Sequence, residues 1–95
     1  MRLPAQTVDT ILEEIRQVDP GAEVYLYGSR TDDAARGGDI DLLVVSDQIG
    51  FRETLRLRRA ILDRIGWQQL DLLIRRRDEL NEPFAATCLS SAIKL

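Results

Sequence analysis

The sequence predicts an α/β domain of the α+β kind, one small mixed β-sheet backed by helices. Three observations predict it. The 95 residues have room for one domain, so residues 1–95 read as a single unit. Amphipathic stretches at helical spacing alternate with short β-prone runs, in the order helix, strand, turn, strand, helix, strand, helix. The run Leu42-Leu43-Val44-Val45 is continuously apolar, as in a strand covered on both faces.

Taken in order, Val8, Ile11, Leu12, Ile15 and Val18 fall at helical spacing, which predicts a helix from Pro4 to Val18, with Pro4 tolerated near its start. Asp19-Pro20-Gly21 ends it. Glu23 to Tyr27 is short, β-prone and bounded by Gly21 and Gly28, so it reads as a strand. Gly28-Ser29-Arg30 then turns the chain, Thr31 to Ala35 reads as a short helix, and Arg36-Gly37-Gly38 is a second break. Asp39 to Ser46 is the clearest strand. A second amphipathic helix follows from Phe51 to Ile65, with Phe51, Leu55, Leu62 and Ile65 among its apolar positions, and Gly66 stops it. Trp67 to Ile74 reads as the third strand and Arg75 to Asn81 as a polar loop or helical turn. Pro83 opens a last helix to Ser90, with Phe84, Cys88 and Leu89 on one side, and Ala92 to Leu95 fits a short edge strand.

Composition narrows the chemistry. An apolar fraction of 44% with 31% charged residues is ordinary for a soluble domain. The formal charge of −3 argues against a protein whose main task is gripping a nucleic-acid backbone. The aromatic residues are only Tyr25, Tyr27, Phe51, Trp67 and Phe84, a poor supply for a base-stacking platform, so nucleic acid is not expected as the main direct partner. Cys88 is the sole cysteine, which excludes an internal disulfide and fits a reducing, cytoplasmic setting. With no histidine, His-based catalysis and most zinc sites are excluded. No apolar run is long enough to cross a membrane, and none reads as a signal peptide. Carboxylates, hydroxyls, arginines, backbone amides and a hard metal remain.

Three features carry that chemistry. Gly28-Ser29 directly follows a strand, where glycine permits a sharp turn and close approach of a ligand. A helix starting at Ser29 would point its free N–H groups at an anion such as phosphate. Alone, the pair is an ordinary turn with a serine N-cap. Asp39-Ile40-Asp41 heads the buried strand. Residues two apart on a strand share a face, about 6–7 Å apart at their α-carbons. Two such carboxylates repel unless they are solvated or a divalent cation lies between them, and magnesium favours one or two carboxylates plus phosphate oxygens. Asp71 sits inside Leu70-Asp71-Leu72, a costly place for an acid unless it is exposed, paired with an arginine or bound to metal. If its strand lies beside Asp39–Ser46, Asp71 joins the same cluster.

Together, Tyr27-Gly28-Ser29-Arg30, the gap that follows, and Asp39-Ile40-Asp41-Leu42-Leu43-Val44 resemble the signature of the DNA polymerase β-like nucleotidyltransferase superfamily. The match is closest to its minimal (MNT) branch, in prokaryotes often encoded beside a HEPN-domain partner. The resemblance implies the polymerase β palm-like fold. It also implies that Gly28 and Ser29 hold the β- and γ-phosphates of a nucleoside triphosphate, ATP being the expected one. Asp39, Asp41 and Asp71 would be the catalytic acids and the ligands of two Mg²⁺ ions, Asp71 also helping to deprotonate the acceptor hydroxyl. The acidic, glycine-bearing link with Asp32-Asp33 and Gly37-Gly38 departs from the more basic link common in the family.

Arg30, beside the phosphate turn, reads as a phosphate partner, with simple exposure to solvent as the alternative. Arg75-Arg76-Arg77 reads as a solvated run with phosphate or partner binding as the alternative, and the arginines of the second helix as its wet face. After the catalytic core little chain remains to hold an acceptor, so the acceptor is expected on another protein, in a homo- or hetero-oligomeric complex. The family resemblance implies an antitoxin that transfers AMP to a hydroxyl, typically of tyrosine, on a HEPN-type toxin. Two other classes stand beside it: a non-catalytic module that neutralises a partner by contact, and a small-molecule transferase of the antibiotic-modifying kind.

Overall fold

The computed structural model describes residues 3–28 and 40–95. The expected short helix at Thr31–Ala35 lies outside the described residues. Helix α1 (Ala5–Val18) leads into strand β1 (Glu23–Tyr27), and strand β2 (Ile40–Val45) is followed by helix α2 (Phe51–Ile65). Strand β3 (Leu70–Arg75), a 3₁₀ turn at Arg77–Glu79, helix α3 (Pro83–Ser90) and strand β4 (Ile93–Lys94) complete the order. The sheet order is β3-β2-β1-β4. β1 runs antiparallel to both β2 and β4, whereas β2 and β3 are parallel, with α2 supplying the crossover that a parallel pair needs. This is the mixed sheet backed by helices that the sequence predicts.

Alternation along the strands separates two faces. Val24, Leu26, Ile40, Leu42, Val44 and Leu70 join Ile11 and Ile15 of α1 and Leu57 and Ile61 of α2 in one buried cluster. Leu43 and Val45 are also buried yet stand outside that cluster, because they point to the opposite face. There α3 lies over the sheet, burying Ala85 and Cys88. Both faces of β2 are therefore covered, which accounts for its unbroken apolar run.

Three expectations need correction. The third strand begins at Leu70 rather than Trp67: the chain turns at Gly66, whose φ is +89°, and Trp67 is 76% exposed. It also runs one residue further, because Arg75 O accepts a hydrogen bond from Ser46 N at 2.9 Å. On α2, Leu62 and Ile65 pack against the core beside the buried Leu57 and Ile61, while Phe51 is 80% and Leu55 54% exposed. On α3 the inward pair is Ala85 and Cys88, and Phe84 is 51% exposed. The N-cap Glu82 accepts from Phe84 N at 2.8 Å and is held by Arg75 Nε at 3.0 Å, which fixes where the helix starts and which side meets the sheet.

Candidate nucleotide site

β1 ends at Tyr27 and Gly28 follows in a left-handed conformation, φ +79°, which glycine adopts without the strain a side chain would bring. A Cβ placed there would stand 3.2 Å from Asp41 Cγ and closer still to Asp41 Oδ2. Gly28 is thus required twice, by its backbone angle and by the carboxylate packed against it.

Asp41 is the second residue of β2, half-buried, on the face opposite the main core. The parallel pairing of β2 with β3 sets Asp41 directly beside Asp71, and the antiparallel pairing of β1 with β2 sets Tyr27 on its other side. Tyr27, Asp41 and Asp71 therefore form one row across three strands, at the end of the sheet where Gly28 turns. Asp71 is exposed, and Gln69 Nε2 donates to its Oδ1 at 3.5 Å. The condition set for Asp71 is met, since its strand lies beside the strand of Asp41.

Of the residues expected to form the site, the fold brings together Gly28, Asp41 and Asp71. Ser29, Arg30 and Asp39 lie outside the described residues. Two acids on adjacent strands are hard oxygen donors of the kind a divalent cation such as magnesium takes. Among the described residues no group of three histidines, cysteines or acids gathers as a metal cage, and Asp39 stands outside that set. The donor chemistry fits a hard cation bound partly by substrate oxygens rather than by a closed protein shell.

Sequence reasoning missed Tyr27 as a neighbour of this row. Burial raises its hydroxyl pKa first, and the neighbouring Cys88, Asp41 and Asp71 raise it further. The pKa of Cys88, on the sheet-facing side of α3, is raised too, mainly by burial and then by Glu82. The alternation Tyr25-Leu26-Tyr27 shows that both tyrosines share a face, but only the antiparallel register reveals which acid stands opposite.

Among the described residues, a mixed four-stranded sheet with three helices and this connectivity make the fold of a nucleotidyltransferase domain. The family model for the nucleotidyltransferase domain matches residues 8–85, and the chain belongs to that family, within the polymerase β-like superfamily. No curated protein matches the chain. The family's chemistry is transfer of a nucleoside monophosphate from a nucleoside triphosphate, generally with a divalent metal, and the chain is a transferase domain of that kind.

Proposed function

We propose that this chain transfers AMP from ATP to a hydroxyl on a partner protein, with Mg²⁺ as the metal, and that residues 1–95 act as one catalytic domain. The observation that carries the reading is the register of Asp41 beside Asp71, with the bare backbone of Gly28 closed against Asp41. Gly28, Ser29 and Arg30 hold the triphosphate: glycine lets it approach the backbone, and Ser29 and Arg30 add a hydroxyl donor and a guanidinium. Asp39, Asp41 and Asp71 would hold the metal, which when bound supplies charge neutralisation on the phosphates and activation of the acceptor oxygen. Asp71 stands at the exposed end of the row, where an incoming hydroxyl arrives, and accepts its proton. The acceptor oxygen bonds to the α-phosphorus, the bond to the bridging oxygen breaks, and pyrophosphate leaves. Fixing Asp41 and Asp71 on paired strands before substrate arrives is the protein's main contribution to rate.

The sequence resemblance to the minimal branch makes the acceptor a HEPN-type toxin and the chain its antitoxin, silencing the toxin by covalent modification. The test is to incubate the purified chain with Mg²⁺ and ATP labelled at the α-phosphate, with and without the neighbouring gene product. Label on that protein, absent with Asp39→Asn/Asp41→Asn, is the expected result. Absence of label with partner binding intact in both forms would instead make the chain a contact-only module. Label on an aminoglycoside and not on protein would move it to the small-molecule class.

A further inference from the structure

β3 ends the sheet, with β2 on one side and no strand on the other among the described residues. Its odd-numbered residues turn their main-chain groups to β2, since Gln69 O accepts from Ile40 N at 2.8 Å and Arg75 O from Ser46 N at 2.9 Å. The even-numbered residues therefore face the open side. There Arg58 Nε donates to Leu70 O at 3.1 Å and Arg75 Nη1 to Ile74 O at 2.9 Å. Between these two guanidinium caps, the amide and carbonyl of Leu72 face outward.

Two grooves of about 430 and 410 Å³ flank this edge and meet at Thr54, Leu72 and Leu73. One extends to Phe51 and Arg76, and the other reaches Asp71 and Tyr27, so the edge is continuous with the acid row. Phe51 and Leu55 stand one helical turn apart beside it, both largely exposed. Trp67 is exposed under the Arg58 guanidinium, 5.8 Å from its ring centre. The rim is basic. Arg58, Arg75 and Arg76 line the grooves and Arg52 and Arg59 flank Phe51 and Leu55, against the lining acids Asp71 and Glu79, in a chain whose net charge is −3. Arg52 and Arg59 follow Phe51 and Leu55 around the helix, are exposed, and have no ion-pair partner among the described residues.

We propose that this edge docks an extended, acidic polypeptide segment with apolar side chains at alternate positions, laid along β3 so that an acceptor hydroxyl reaches Asp71. The delivery of a hydroxyl rests on the transferase reading above, whereas the docking itself does not. A peptide strand satisfies the outward main-chain groups of Leu72. Its alternate side chains, about 6.6 Å apart, match the spacing of about 6 Å between Phe51 and Leu55 along the helix axis. Its acids meet Arg52, Arg59 and Arg76. A single-stranded nucleic acid would use the arginines and stack a base on Phe51, but it offers no aliphatic group for Leu55 and no main-chain amide–carbonyl pair to match both groups of Leu72.

Trp67, the only tryptophan, reports on the edge. The test is to titrate the chain with a random copolymer of glutamate and tyrosine and follow tryptophan emission, with polylysine, oligouridine and the chain alone at rising concentration in parallel. The expected result is a saturable blue shift with the acidic copolymer only. It should weaken about tenfold or more in Phe51→Glu/Leu55→Glu, as loss of two apolar anchors requires, and fall with added salt. Both substitutions are at exposed positions, so thermal unfolding and Mg–ATP binding by equilibrium dialysis should stay at wild-type values. No shift, or equal binding by the double variant, would overturn the proposal. An equal or stronger shift with oligouridine would reassign the face to nucleic acid, and self-association abolished by the double variant would reassign it to a second copy. Copolymer binding without Mg–ATP binding by the wild type would remove the transferase reading and leave the docking surface standing.

Discussion

At the residue scale, Gly28 and the acid beside it explain each other. A left-handed backbone at φ +79° and a carboxylate where a Cβ would sit leave room for glycine only. Gly28→Ala is therefore expected to lower the unfolding free energy by about 1–3 kcal/mol, the usual cost of a side chain in that region, and to displace Asp41. Urea unfolding with ATP binding measured in parallel checks both effects. The turn at Gly28 was legible because a glycine that directly follows a β-prone run is a local feature. Tyr27 was not, since the sequence shows that it alternates with Leu26 but not which strand pairs with its own. Its raised pKa comes from burial and nearby acids on two other strands, a consequence of register that no local pattern encodes.

At the element scale, two polar ties hold the helices to the sheet. Ser46 Oγ, just past β2, donates to Asp19 Oδ2 at 2.6 Å and accepts from Gln48 N at 3.0 Å and Ile49 N at 3.2 Å. Asp19 Oδ1 in turn accepts from Gly21 N at 2.9 Å. This buried node joins the end of α1 to the entry of α2, and Ser46→Ala should cost about 1–3 kcal/mol in thermal or urea unfolding by leaving those groups without their partner. The second tie is Glu82, whose pKa is lowered first by the Arg75 hydrogen bond and then by the Phe84 amide. A lowered folded-state pKa contributes stability above the ordinary value of 4.5, and that contribution is lost as pH falls through the folded value. The wild type should accordingly lose more stability than Glu82→Gln on acidification below about pH 4.5, read as converging unfolding midpoints across an acid titration. Helix and strand periodicity located nearly every element. It located Leu62, Ile65 and Cys88 on inward sides but misplaced Phe51, Leu55 and Phe84, because tertiary docking chooses among apolar faces that the wheel alone leaves equivalent. Trp67 was counted as strand for its β propensity, but Gly66 delays the strand to Leu70.

At the scale of the whole molecule, β2 is paired on both sides and covered on both faces, so the sheet's centre is fixed while one edge, β3, stays accessible beside the acid row. The net charge of −3 gave no hint of this edge, because the arginines beside it, Arg52, Arg58, Arg59, Arg75 and Arg76, are outweighed by acids elsewhere. The mixed sheet was predictable from element order, whereas the adjacency of Asp41 and Asp71 depends on a parallel pairing formed through a crossover helix. That adjacency is the central claim. Its most direct test is calorimetric titration of a non-hydrolysable ATP analogue, with and without Mg²⁺, into the wild type, Asp41→Asn and Asp71→Asn. Mg²⁺-dependent binding by the wild type, weakened about tenfold or more in each variant with unfolding midpoints unchanged, is the expected outcome. Binding of equal strength in all three proteins would contradict it.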